Sequence, residues 1–255
     1  MWDILPIVGM PEVSRALESL IEAGHESAEW LNSVISFVGE MQELGFPAFS
    51  LYMLHPPYDF ISNFLRGTQG TMIDMHRNPG KLIQACEKIA PWMIKAAVDG
   101  GKTTGAPATI FLNKGFEGMM SDEQYKTFYW PSLRKLIMGL IDEGVTPYVY
   151  TQGDYTSRLE IIRDVPMGKV IYHIERDIFK AKEVLGDVAC LTGGPPNSLL
   201  CTGTPDEVKD YCKKLIDVVG KGGGFILNPA APLIDDNPEN VKAMTDFTKE
   251  YGVYQ

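Results

Sequence analysis

The sequence predicts an α/β chain built as a TIM-type (β/α)8 barrel, and three observations predict it. From Ala106 onward, short apolar runs alternate with helical segments five times over. Such repetition means parallel strands joined by crossovers. No Gly-x-Gly-x-x-Gly follows any of the runs, which favours a barrel over a dinucleotide-binding fold. The length of 255 residues with 45% hydrophobic content is enough for one large core.

The elements follow in chain order. "PEVSRALESLIEAG" and "ESAEWLNSVISFVGEMQELG" place apolar residues at three and four spacing and each closes on a glycine, so two helices are expected. "FPAFSLYML" is short, apolar and bounded by Gly-Phe-Pro and His-Pro-Pro, the pattern of a buried strand. Helical patterns return in "DFISNFLRG", "TMIDMHRNP" and "GKLIQACEKIAPWMIKAAVDGG".

Five strand and helix pairs come next. "APATIFLN" precedes "SDEQYKTFYWPSLRKLIMGLIDEG", where Ser121 with Gln124 three residues on forms a capping box. "TPYVYTQ" precedes "TSRLEIIRDV", and "GKVIYHI" precedes "DIFKAKEVLG". "DVACLTGG" precedes "TPDEVKDYCKKLIDVVG" with Thr204 as N-cap. "GGFILNP" precedes "NPENVKAMTDFTKEYG", with Asn237 as cap and Pro238 at the first helical position.

One domain is expected: a helical lead-in over residues 1–45 and six βα units over 46–255. Six units do not close an eight-stranded barrel. Either the first two βα units are missing from the chain, which would then be truncated at its amino end, or the lead-in or another subunit fills the gap. Open strand edges invite pairing with other chains, so a homodimer is expected.

The formal net charge of -10 and pI near 4.9, with Lys and Arg scattered, repel a phosphate backbone and exclude nucleic acid as partner. No apolar run reaches the roughly 18 residues needed to cross a bilayer, and the amino terminus lacks a signal-peptide pattern. No membrane association and a cytoplasmic location are expected. Cys86, Cys190, Cys201 and Cys212 lie far apart without a C-x-x-C pair, as buried free thiols do.

In βα-barrels the functional surface lies at the carboxyl ends of the strands. The residues there are Tyr52 and His55; Asn113 and Lys114; Tyr150, Gln152 and Asp154; His173, Glu175 and Arg176; Thr192 and Asn197; and Asn228. His173 ends a strand beside Glu175, where an imidazole near a carboxylate can titrate close to neutrality. Asp154 follows a glycine and suits an acid, a base, a ligand or an ordinary turn and helix cap. Lys114 is a point charge for a carboxylate or phosphate, or a solvated loop residue. His25 and His76 read as surface residues.

"GGPPNSLLCTGTPDEVKDYCKKLID", "GGGFILNPAAPLIDDNPENVKAMTDFTKEYG", "HPPYDFISNFLRG" and "FLNKGFEGMMSDEQYKTFYWPSLRKL" together resemble, in order from about Gly45 to the end, the uroporphyrinogen decarboxylase superfamily. That superfamily holds the decarboxylase of haem biosynthesis and the cobalamin- or coenzyme M-linked methyltransferases, on TIM barrels. The segment "GGPPNSLLCTGTPDEV" is more similar to the methyltransferase branch.

In that branch the resemblance implies a zinc ion held by a His and a Cys of a His-x-Cys-Gly-Asp strand end and by a later Cys. Here those positions are Tyr150, Gln152 and Ala231, and only Gly153 and Asp154 remain. Zinc, and any other metal, is therefore not expected. For the decarboxylase branch, the late His falls on Ala231, a helix Tyr on Asn63 and a strand-end Asp on Lys114. Its amino-terminal arginine motif belongs to the first two strands.

The resemblance thus implies an enzyme moving a methyl group between a small methylated substrate and a corrinoid (cobalamin), free or on a corrinoid protein. Asp154, His173 and Glu175 would be the acid-base residues, with Tyr52, His55, Asn113, Lys114, Tyr150, Gln152 and Asn228 binding substrate. Two alternatives stand beside it: uroporphyrinogen decarboxylase activity on a tetrapyrrole, in porphyrin biosynthesis, and a non-catalytic binding or scaffold subunit.

Overall fold

The computed structural model describes residues 5–46 and 52–253, with the side chains of residues 52 and 100–104 excepted. The chain divides into two compact units, residues 1–49 and 50–255.

In the first unit a short helix, Leu5–Val8, precedes one helix of 33 residues, Pro11–Glu43. The sequence reading expects two helices with a stop at Gly24. The structure carries the helix straight through it, because a helical glycine costs only about 1 kcal/mol against alanine and the flanking Ala, Glu and Leu residues propagate well. The stop comes at Gly45, whose φ of +87° is the left-handed geometry a helix end favours. No side chain of this helix is buried, and its apolar residues Leu17, Leu20, Ile21, Leu31 and Ile35 are exposed.

The second unit is a sheet of six parallel strands in sequence order: β1 (Tyr52–Leu54), β2 (Ala108–Leu112), β3 (Pro147–Thr151), β4 (Ile171–Ile174), β5 (Cys190–Gly193) and β6 (Phe225–Leu227). All six expected strands are present; residues 47–51 of the first expected run lie outside the described residues. Sequential order with a helix after every strand is the pattern of βα-barrel winding. Among the described residues β1 and β6 are edges, so the sheet is six strands of a barrel rather than a closed eight.

Helices pack on one sheet face because alternate strand residues are apolar. Ile110, Leu112, Val149, Tyr172, Ile174 and Leu191 join the core with Leu133, Leu136, Ile137 and Leu140 of the helix Trp130–Asp142. The other face carries Phe111, Tyr148, Tyr150, His173 and Thr192. Register aligns Phe111 with Tyr150, Tyr150 with His173 and His173 with Thr192.

The expected caps form. Ser121 Oγ accepts from the Gln124 amide at 3.2 Å while Gln124 Oε1 accepts from the Ser121 amide at 2.9 Å. Thr204 and Glu207 make the same reciprocal pair at 3.3 and 2.8 Å. Asn237 Oδ1 accepts from the Glu239 amide at 3.0 Å. Two segments read as plain helix contain π turns, Ile61–Leu65 and Tyr125–Tyr129. All four cysteines are free, and no helix of the described residues is long and apolar enough to cross a membrane.

Candidate active site at the strand carboxyl ends

Parallel winding brings residues far apart in sequence to one end of the sheet. There the Tyr150 ring stacks between Phe111, at 4.8 Å, and His173, at 4.1 Å. Tyr148 meets both Tyr150 and His173 edge-on. These contacts follow from the register, which sets residues of three strands side by side on one face.

His173 is only 1% exposed. Its Nε2 lies 2.9 Å from the Ala230 carbonyl, which only accepts, so the ring proton sits on Nε2 and Nδ1 is buried without a partner. Burial pushes this imidazole down to about 4. The expectation that it titrates near neutrality is corrected: the ring is neutral at pH 7, and Glu175 lies on the next βα turn engaged elsewhere.

Glu175 Oε2 accepts from the Gly153 amide at 2.7 Å, tying the end of β3 to the end of β4. Burial raises this carboxyl, while the Gly153 hydrogen bond, the Tyr150 hydroxyl and the Arg176 charge hold it back. The Tyr150 hydroxyl is buried and faces Glu175 without a hydrogen bond of normal geometry. Glu175 lines a cleft of about 460 Å³ with Arg176, Asp177, Asn197, Ser198 and Tyr211. Asp177 has φ of +45°, a strained conformation of the kind that gathers at functional sites. At the cleft floor Gly194 leaves no room for a side chain: a Cβ would meet the Asn228 carbonyl at 2.0 Å.

The other expected residues fall as follows. Asp154 is exposed, and its Oδ1 caps the next turn by accepting from the Thr156 amide at 3.0 Å and hydroxyl at 2.7 Å. Asn113 donates to Gln152 Oε1 at 2.7 Å and accepts from Asn63 at 3.4 Å. His55 is half-buried, 3.4 Å from the Phe111 carbonyl and tilted against Phe64. The Tyr148 hydroxyl interacts with Thr192 and Asn228. Tyr52 is corrected in place: it opens β1 opposite Ala108, at the amino end of the sheet rather than the carboxyl end.

Sequence reasoning missed Asp59 and Tyr129, both fully buried, whose bond is described below. It also missed the Gly153 amide. Phenol, amide and methyl at Tyr150, Gln152 and Ala231 do not fit a zinc ion, and among the described residues no group of three His, Cys, Asp or Glu could hold a metal. No step through zinc is available at these positions.

A parallel βα sheet with polar side chains gathered at the strand carboxyl ends defines a member of the βα-barrel class. The family model described as uroporphyrinogen decarboxylase (URO-D) matches residues 56–251, and the chain belongs to that family. Similar curated proteins include a uroporphyrinogen decarboxylase of Chlorobium phaeovibrioides, 26% identical over 69% of this chain and 51% of its own length. Another is a uroporphyrinogen decarboxylase of Chlorobium phaeobacteroides, 25% identical over 58% and 43%. A methylcobamide:CoM methyltransferase of Methanosarcina acetivorans is 23% identical over 67% and 48%. The chain therefore spans about half the length of the curated relatives it matches. A solved methyltransferase from Methanosarcina mazei superposes with a TM-score of 0.67 at 21% identity, covering 79% of this chain and 58% of that one, which supports the fold.

Proposed function

We propose that the chain belongs to the methyltransferase side of its family and takes part in methyl transfer from a small methylated substrate, without the zinc site. The observation that carries the reading is Glu175, a half-buried carboxyl lining a polar cleft, with one oxygen fixed by the Gly153 amide. Its other oxygen, Oε1, is left to hold a proton, and burial favours the protonated form.

In this mechanism the carbon–heteroatom bond of the donor breaks and its electron pair stays on the heteroatom, which takes the Oε1 proton. A reduced corrinoid, if brought to the cleft as co-substrate either free or on a partner protein, would supply the nucleophile that receives the methyl. The neutral His173 and the Phe111–Tyr150 stack hold the Tyr150 hydroxyl against Glu175. Asn113, Gln152 and Lys114 line the neighbouring strand ends and orient the donor; Asp154 shapes the turn that presents Gly153. A cytoplasmic homodimer completes the proposal.

Tetrapyrrole decarboxylation is the second reading, favoured by the names of the Chlorobium relatives. Against it stand the few cations at this sheet end, Lys114 and Arg176, for a substrate carrying many carboxylates.

The test is the visible spectrum of cob(I)alamin mixed with the purified protein while methylated amines, ethers and thioethers are added in turn. Donor-dependent methylcobalamin formation, slowed at least about 100-fold by Glu175→Gln, is expected. Carboxyl loss from uroporphyrinogen with no cobalamin conversion would establish the second reading instead. Binding of neither would leave a non-catalytic subunit.

A further inference from the structure

Asp59 sits in the short helical turn Pro57–Phe60 that follows β1, and its carboxyl is fully buried. Oδ2 accepts two hydrogen bonds, from the Asn113 amide at 2.6 Å and from the Tyr129 hydroxyl at 2.8 Å. Those donors belong to the turn after β2 and to the π turn Tyr125–Tyr129, so one carboxyl joins three segments of the strand-end surface. Oδ1 is buried with no hydrogen-bond partner. An orphan of this kind is uncommon and calls for an explanation.

The surroundings leave Asp59 as the group that titrates. Tyr58, Tyr125, Tyr129 and Tyr155 face it, as does the Cys86 thiol; burial and the Asp59 charge push all five upward, so they stay neutral at pH 7. Lys114 supplies the positive charge that favours the ionised carboxyl. Burial outweighs that charge together with the Asn113 amide, the Tyr129 hydroxyl and the nearby Lys114 amide, and raises Asp59 to about 7.

The turn that Asp59 holds has no slack. A Cβ on Gly115 would meet Tyr125 and Tyr155 at 2.8 Å and Tyr129 at 2.9 Å. The same turn carries the Asn113 side chain that donates to Gln152 at 2.7 Å. A change at Oδ2 therefore reaches the substrate-facing amides instead of being absorbed by packing. The two π turns flank the arrangement, one starting two residues after Asp59 and one bearing Tyr129; π turns recur at functional sites.

We propose that Asp59 is a positioning residue of the strand-end site: with Tyr129 it sets the geometry of the Asn113–Lys114 turn, and proton uptake at Oδ1 resets it. Oδ2 already accepts two bonds, so the incoming proton, taken from solvent, goes to Oδ1. The carboxyl then becomes neutral, its bonds to Asn113 and Tyr129 lose their charge assistance, and Lys114 loses an attracting anion. The Asn113–Gln152 amide pair and the Lys114 ammonium are thereby tuned together, for a ligand that presents a hydrogen-bonding and an anionic group. The inference rests on reading the strand ends as the site and is independent of methyl transfer.

The test follows the backbone amide of Asn113 and the side-chain amides of Asn113 and Gln152 in the whole chain by nitrogen–proton NMR from pH 5.5 to 8.5. All three are expected to move through one step that Asp59→Asn abolishes. Tyr129→Phe removes a donor that favours the ionised carboxyl, so it is expected to move the midpoint upward. No step at Asn113, an unchanged step in Asp59→Asn, or a step at Asn113 that leaves Gln152 still would each overturn the proposal. If Asp59→Asn does not fold, an unmoved midpoint in Tyr129→Phe overturns it equally. Loss of the cobalamin reaction with these titrations intact would overturn the proposed function alone.

Discussion

Replacing His173 by Gln tests the burial of a neutral imidazole through its pH signature. An ordinary imidazole titrates at 6.5, and burial holds His173 down to about 4. Between those values the unfolded chain binds a proton that the folded chain refuses. This contribution to stability is complete above pH 6.5 and is lost progressively as pH falls from 6.5 to 4. Over a drop from pH 7.5 to 5.0 the loss amounts to about 2 kcal/mol.

Asp59 acts in the opposite sense. Its carboxyl is raised from 3.8 to about 7, so the folded chain holds the extra proton and stability rises by about 2 to 3 kcal/mol over the same drop. The wild-type pH response alone hides both groups. Urea unfolding of wild type and His173→Gln at both pH values separates them, because the Asp59 contribution cancels in the difference. Acidification is expected to destabilise wild type by about 2 kcal/mol more than the variant, whatever stability Gln loses in packing. Equal responses within about 0.5 kcal/mol, or the reverse sign, would refute a buried neutral His173.

Thr204→Ala removes one half of the capping box with Glu207; a loss of about 1 kcal/mol is expected, seen as a fall in Tm of about 3 °C. Arg158 is 1% exposed, donates to the Met120 carbonyl at 2.6 Å and the Gly115 carbonyl at 3.3 Å, lies over the Tyr125 ring and pairs with Asp122. Arg158→Met strands both carbonyls and is expected to lower urea stability by about 3 kcal/mol.

What the sequence determined by itself is whatever a few neighbouring residues can settle. Ser121 with Gln124, Thr204 with Glu207, and Asn237 before Pro238 announce their helices because a cap is made with partners two or three residues away. The six strands were legible for the same reason: short β-branched and aromatic runs between turn residues need no distant information. Family membership was legible too, from motif order. Gly24 misled because a local stop signal is weak against a long run of good helix formers.

The site was legible only in outline. Strand ends pointed to Glu175, Asn113 and Gln152, but Glu175 gains its role from the Gly153 amide 22 residues earlier, a partnership made by the β3–β4 register. Asp59 opens the helical segment "DFISNFLRG", and no neighbouring residue in that segment marks it as buried. Its burial depends on Tyr129, 70 residues on, and on the turn after β2 folding over it. Protonation behaviour is set by solvent exclusion and by groups brought together from several strands. Both are properties of the assembled tertiary structure, which is why the chemistry of His173 and Asp59 appears only there.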